Sequence, residues 1–430
     1  MFKKYIALIG LLLPGELIWT MGSSGLLKPY LGGYYPIVQF QTIVLIGIFI
    51  YFSSAGFRAK PGLLLVCILF FFVGFYELIA TYLIGGNSGI AFQQLIFGFI
   101  TPICLILFID KLSTDNQLQF FKFFFIGYSA YLLTAFYFLF FIDDNLSQQI
   151  ESYGIGGAIV SLRYQNEDSI FSLLLGNFNK QSNYLILSLF LAPCLLRLEE
   201  SFINGKADFR KKIFIFFSFI SVVALFLLFS RAALFFLFIV IFMNRGYYFN
   251  QSWRFNSSVL LAVICLTFYF YDIAQPLFSY LLFSNYVDGT SGGAIGTFEQ
   301  RSVQWEESFE WIFNPNVMFH GIGIGTYGVM INNDINSGMH NLFLDHWVAS
   351  GVLGPTIIML LVIFGLFKAL VKNDWRNFLL YIMFLSLAFR EYSFSYLYVT
   401  SMGGFMFILI IWKTYNVQGA RKIKKIHEAQ

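Results

Sequence analysis

Chemistry in this chain falls to a small set of side chains. Arg231 stands in Leu228-Phe229-Ser230-Arg231-Ala232-Ala233-Leu234, at a hairpin between two apolar runs, and Arg390 stands in Phe389-Arg390-Glu391-Tyr392 at the end of another. A guanidinium where apolar chain meets water is costly unless it is used, and its planar fork suits bidentate binding of phosphate. Arg163 and Arg301, in long segments between apolar runs, and Lys180, at the start of one, could add charge to the same anion. The competing uses are structural: Arg231 snorkelling to a lipid phosphate, Arg390 paired with Glu391, Arg163 and Arg301 simply solvated.

Three of the four histidines, His320, His340 and His346, fall within one segment, and only His427 lies elsewhere. Imidazole is the usual general base near neutral pH. The stretch Gly338-Met339-His340-Asn341-Leu342-Phe343-Leu344-Asp345-His346-Trp347 reads as a loop entering a helix. His340 then sits near the helix start and His346 about one and a half turns on, on a different face, where it tethers the helix in its packing. A metal site is not expected, because there is no His-x-x-x-His, no Cys nearby and no array of Asp and Glu around these histidines. The glycine run His320-Gly321-Ile322-Gly323-Ile324-Gly325-Thr326-Tyr327-Gly328 is no dinucleotide fingerprint, since neither a strand nor a βαβ unit surrounds it. It reads as a flexible turn after the turn signal Asn314-Pro315-Asn316.

These side chains must be held by membrane helices. Of 430 residues, 58% are hydrophobic, 20% aromatic and only 12% charged, against about 25% charged in soluble domains. Too few charges remain to coat a soluble particle, which excludes a soluble enzyme, and a net charge of +4 excludes a nucleic-acid surface. Cys67, Cys104, Cys194 and Cys265 all lie in apolar runs, so no disulfide framework is implied.

A hydrocarbon layer about 30 Å thick needs roughly 20 apolar residues per helix. The expected fold is an all-α polytopic membrane protein, a single integral membrane domain over 1–430, with spans at 5–22, 36–54, 62–84, 91–109, 119–142, 182–197, 213–230, 232–244, 257–275, 352–370, 377–393 and 397–413. Met-Phe-Lys-Lys before the first span, with no small-residue cleavage site after it, predicts a retained helix. With the N-terminus inside, all but Lys28, Arg163, Lys180, Arg231, Arg301 and Arg390 of the 27 lysines and arginines fall on the cytoplasmic side. Both termini are then cytoplasmic, and the basic end Arg421-Lys422-Ile423-Lys424-Lys425 anchors that orientation on phospholipid. Two long external loops, 143–181 and 276–351, hold the candidate residues. In the second, Glu299 to Phe313 reads as an amphipathic helix at the interface, its Glu306, Glu307 and Glu310 a solvated face. Glu16 and Glu77 are acids inside apolar spans, hence suspects for function without an assigned role.

Four stretches together resemble the bacterial O-antigen polymerases and O-antigen ligases. Gly176-Asn177-Phe178-Asn179-Lys180-Gln181-Ser182-Asn183 is similar to that family's Gly-x-Phe-x-x-x-Asn motif, although Asn179-Lys180-Gln181 replaces the Asn-Pro-Asn-like turn of many members. Ser230-Arg231-Ala232-Ala233-Leu234 resembles its Ser-Arg-Gly/Ala turn. Arg301 through Trp305 with Gly321-Ile322-Gly323 is similar to the Arg, Trp and Gly-x-Gly of its large periplasmic loop, and His340-Asn341 with Gly351-Val352-Leu353-Gly354 resembles its His-Asn…Gly-x-x-Gly element. The likeness covers about residues 163–370.

The resemblance implies a glycosyltransferase at the periplasmic face of the bacterial inner membrane, with an undecaprenyl-diphosphate-linked oligosaccharide as donor and neither metal nor other cofactor. It implies Arg231 and Arg390 as diphosphate contacts, Arg163, Arg301, Lys180 and Asn341 as further substrate contacts, and His340 as the base or acceptor-orienting group. Membrane lipids surround the chain, and a chain-length regulator is an optional partner. A polymerase would pass the growing chain to another lipid-linked repeat unit; a ligase would pass it to lipid A-core. The external loops lack a large basic surface for phosphorylated lipid A-core, which favours the polymerase. A lipid-linked oligosaccharide flippase is the alternative of another class; it would place charges along mid-helix and keep loops short on both sides.

Overall fold

The structure is a computed structural model. It describes residues 2–14, 47, 60–84, 86, 88–141, 178–199, 209–228, 231–248, 306, 309, 312–323, 341–389 and 402–416. In chain order the helices are α1 (Phe2–Leu12), α2 (Pro61–Leu83), α3 (Ser88–Gln94), α4 (Thr101–Lys111), α5 (Thr114–Phe141), α6 (Phe178–Leu195), α7 (Phe209–Leu228), α8 (Arg231–Tyr248), α9 (Pro315–His320), α10 (Leu342–Ser350), α11 (Leu353–Val371), α12 (Trp375–Ala388) and α13 (Met402–Asn416). No strand occurs among the described residues.

Among the described residues, four helices are long and apolar enough to cross a membrane: α2, α7 and α11 along their full lengths, and α5 from Thr114 to Tyr137. Shorter apolar helices lie at Gln181–Leu195, Ala233–Tyr247, Trp375–Ala388 and Met402–Tyr415. Ten of the twelve expected spans overlap a helix given above. The expected span 257–275 lies outside the described residues, as does 36–54 apart from Gly47. The helix of the first span closes at Leu12, just ahead of Pro14, because a proline disfavours helical backbone in the residue before it.

The surface pattern explains why these helices need lipid. Along α2, Leu65, Ile68, Phe72, Phe75, Ile79 and Tyr82 are exposed at steps of three and four, one continuous apolar stripe. A helix facing water would carry polar residues there. The opposite stripe, Leu63, Val66, Phe70, Val73, Glu77 and Ala80, is buried. Bulky apolar side chains are likewise turned outward on α11, at Leu360, Ile363, Phe364 and Phe367, and on α7, at Ile215, Phe216 and Phe219.

The chain forms two compact units, Met1–Pro36 with Thr114–Val303, and Ile37–Ser113 with Gln304–Gln430. In the first unit, α1 packs on α5, α5 on α7, and α6 on both α7 and α8. In the second, α2 meets α3, α10, α11 and α13, while α4 packs on α13 and α11 on α12. Between α3 and α4 the helix passes through a π-helical turn, Leu95–Ile100. Pro102 has no N–H to give the Gly98 carbonyl, and α13 comes so close there that a Cβ on Gly404 would overlap that oxygen.

Candidate functional site

Parts of the four sequence stretches fall together within a unit: α6 packs on α8 in the first, and Gly321-Ile322-Gly323 lies against Gly351 in the second, while residues 301–305 lie outside the described residues. In the first unit, α6 is buried along its length from Gln181 to Ala192, including the polar residues Gln181, Ser182 and Asn183 at its start. At the far end of α6, Arg210 donates to the Arg197 carbonyl at 3.5 Å and Tyr247 donates to Glu199 Oε1 at 3.2 Å. The first bond sets the start of α7 against the end of α6, and the second sets the C-terminal end of α8 beside that of α6. The two helices therefore run parallel, and their first turns, with Lys180 in one and Arg231 opening the other, share the opposite end. Neither first turn contains an acidic residue.

That arrangement is electrostatically one-sided. A helix N-terminus carries roughly half a positive charge, and a cation in its first turn loses about 0.3–1 kcal/mol rather than gaining it. Two helix starts with no acid in either first turn favour an anion near them over another cation.

In the second unit a short clasp is built from α9, Gly321-Ile322-Gly323 and α10. Asn341 caps α10 from extended backbone (φ −144°, ψ 117°), its Oδ1 accepting from the N–H groups of Phe343 at 3.0 Å and Leu344 at 3.3 Å. At the other end of α10 the carbonyls of Val348 and Ala349 accept from Ile322 N–H at 2.7 Å and Gly323 N–H at 3.1 Å, and Val352 N–H donates back to the Met318 carbonyl at 2.8 Å. Ile312, Val317, Ile322, Leu344 and Val348 form the small core between them, with Trp347 against it. Gly323 and Gly351 turn the chain at φ +76° and +61°. A Cβ on Gly323 would come 2.5 Å from Thr81 Cα, and one on Gly351 would overlap the Phe319 carbonyl. The glycine run is thus a fixed clasp through Gly323, where a flexible turn was expected.

The clasp sits on α2. Tyr76 donates from its hydroxyl to the Phe319 carbonyl at 3.5 Å. One residue further along α2, fully buried Glu77 shares a hydrogen bond through Oε1 with Nδ1 of His346, itself only 4% exposed. The Phe99 ring, carried by the π-helical turn, meets the imidazole edge-on at 6.2 Å. Glu77 Oε2 is buried with no hydrogen-bond partner among the described residues.

Among the described residues, the opposite end of this unit holds Lys60, Lys368 and Lys372. Lys60 pairs with Asp110 at 3.3 Å, Trp412 donates to the same carboxylate at 3.0 Å, Lys372 donates to the Thr414 carbonyl at 2.9 Å, and Lys368 lies 3.1 Å from the centre of the Tyr415 ring. Lys60 precedes α2 and Glu77 lies near its far end, about 25 Å apart at 1.5 Å per residue.

Of the residues singled out from sequence, Arg163, Arg301, His340 and Arg390 lie outside the described residues, and Glu16 does too. Lys180 and Arg231 open helices; Asn341 is a helix cap. His346 does tether its helix, and its partner is Glu77, 269 residues away in sequence. A buried acid in an apolar span was the signal; nothing in one sequence could pair it. Of the expected helix from Glu299 to Phe313, Glu306, Phe309 and Ile312 are helical, with Glu306 and Phe309 exposed and Ile312 fully buried, and most of the rest lies outside the described residues. Among the described residues, no three of His, Cys, Asp and Glu gather as metal ligands would.

No model of a known protein family matches this chain, and no curated protein matches it.

Proposed function

We propose that this protein is a glycosyltransferase of the outer face of the bacterial inner membrane, polymerising undecaprenyl-diphosphate-linked repeat units of a surface polysaccharide. The observation that supports the proposal is the packing within each unit: α6, which carries Lys180, on α8, which opens with Arg231, and Gly321-Ile322-Gly323 against the end of α10 and Gly351. Segments far apart in sequence meet at these places, which supports a donor site in the first unit and an acceptor-facing loop in the second.

The chemistry needs little else. A hydroxyl of the acceptor sugar attacks C1 of the donor's diphosphate-linked sugar. The C1–O bond breaks, undecaprenyl diphosphate leaves with the bonding pair, and the hydroxyl proton passes to His340. The leaving group is good once its charge is met by Arg231, Lys180 and the two helix ends, with Arg163, Arg301 and Arg390 as further contacts. The cations at the Lys60 end support an orientation with that end in the cytoplasm and the clasp outside.

Deleting the gene from its host tests the assignment, with surface lipopolysaccharide run on a gel and the undecaprenyl-linked pool analysed from the same cells. Core bearing a single repeat unit is the expected result. Bare core with long polymer on undecaprenyl diphosphate would identify a ligase, and bare core with single units held at the cytoplasmic face would replace transfer with flipping.

A further inference from the structure

We propose that Glu77 is a positioning residue: through His346 it holds α10, and with it the Asn341 cap that directly follows His340 in sequence, in the orientation from which transfer proceeds. The inference rests on the glycosyltransferase proposal and assigns a role to an acid that the proposal does not use.

Helix α10 has nine residues, too few to be stable alone, so its direction is set by what it touches. Its N-terminal end is closed by Asn341 and its C-terminal end by the clasp of Ile322 and Gly323. Both fix α10 to its own neighbours in the chain. Glu77 ties it instead to the long apolar helix α2, across the buried stripe of that helix. Apolar contacts such as the edge of Phe99 tolerate rotation of the imidazole, whereas a hydrogen bond to Nδ1 fixes the plane and direction of the ring. The Ser350 hydroxyl donates to the His346 carbonyl at 2.6 Å, so the same residue is held at backbone and side chain.

Stability alone does not call for a carboxyl here. A buried acid with one oxygen lacking a partner weakens the fold relative to an apolar side chain of that size. What the acid adds is direction. Asn341 lies five residues before His346, about 7.5 Å along the helix, and His340 is bonded to it. A tilt of α10 about its clasped end would displace that junction by about an ångström, enough to reduce transfer by about 10²-fold.

The test uses the full-length protein in nanodiscs, with lipid-linked oligosaccharide extracted from the deletion host as donor and acceptor. Glu77→Ala is expected to lower kcat by about 10²-fold while donor KM stays within about twofold. Glu77→Gln, which still bonds Nδ1, is expected to recover most of the rate. Amide hydrogen exchange across Leu342–Ser350 should be faster in Glu77→Ala, with α7 unchanged. Wild-type kcat in the folded fraction of Glu77→Ala would overturn the proposal, as would a Gln variant no better than Ala. Wild-type protein inactive on this donor would sink the transfer proposal instead. Exchange would then still decide the tie, unchanged protection in Glu77→Ala overturning it.

Discussion

What matters about Arg231 is where it stands. It opens α8, at the positive end of the helix dipole, with no acid in the first turn to offset it. A structural arginine would be better placed at the C-terminal end. Arg231→Ala is expected to abolish polymer, a loss of about 10²-fold or more, with the protein still inserted. Arg231→Lys should recover only part, since an ammonium cannot make the two parallel bonds. Immunoblotted membranes and a polysaccharide gel decide this, and full-length polymer from the Ala variant would remove Arg231 from the mechanism. His340→Ala should likewise cost about 10²- to 10⁴-fold if it is the base; wild-type polymer would exclude it. Asn341 is bound by a different duty, because its Oδ1 is taken by two backbone N–H groups. Asn341→Ala should cost about 1 kcal/mol of stability, and Asn341→Asp much less, since aspartate caps equally well. Thermal unfolding in detergent measures both, and equal losses would contradict the cap.

Among the elements, the clasp is the unit to perturb. Its two strained turns fit only glycine: Gly351 at φ +61° faces the Phe319 carbonyl, and Gly323 at φ +76° faces Thr81. Gly351→Ala is expected to destabilise by about 1–3 kcal/mol, from strain together with the clash. Hydrogen exchange at Ile322, Gly323 and Val352, whose N–H groups close the clasp, should rise in that variant. Unchanged protection would mean that the clasp is not held by these turns. The sequence Gly-x-Gly signalled a special backbone here but not its partner. The carbonyls it covers belong to a helix whose first residue lies 19 positions further along the chain.

For the molecule as a whole the prediction concerns sides of the membrane. The Lys60 end of the second unit, with Lys368 and Lys372, should face the cytoplasm and the clasp the outside. Reporter fusions after Lys372 should be active only as cytoplasmic reporters, and fusions after Asn314 only as periplasmic ones; the reverse pattern would invert the orientation and the proposed site with it. The apolar stripe on α2 and its counterpart on α11 further predict that the purified protein aggregates when detergent is withdrawn.

The all-α class and the position of most apolar helices were legible in the chain alone, because lipid leaves no choice but to satisfy every backbone group within the helix. The same logic marked Glu77 as unusual and His346 as a tether, since a buried polar group announces itself against an apolar background. Local backbone detail came from the structure. Pro14 and Pro102 break or bend helices that hydropathy alone reads as uninterrupted, and composition is blind to a missing N–H. Which groups meet is a matter of packing. Glu77 and His346 are joined by the contact of α2 with α10, and the parallel ends of α6 and α8 are aligned by the Tyr247–Glu199 bond at their opposite termini. Periodicity reports which face of a helix is buried; it carries no information about the helix that buries it.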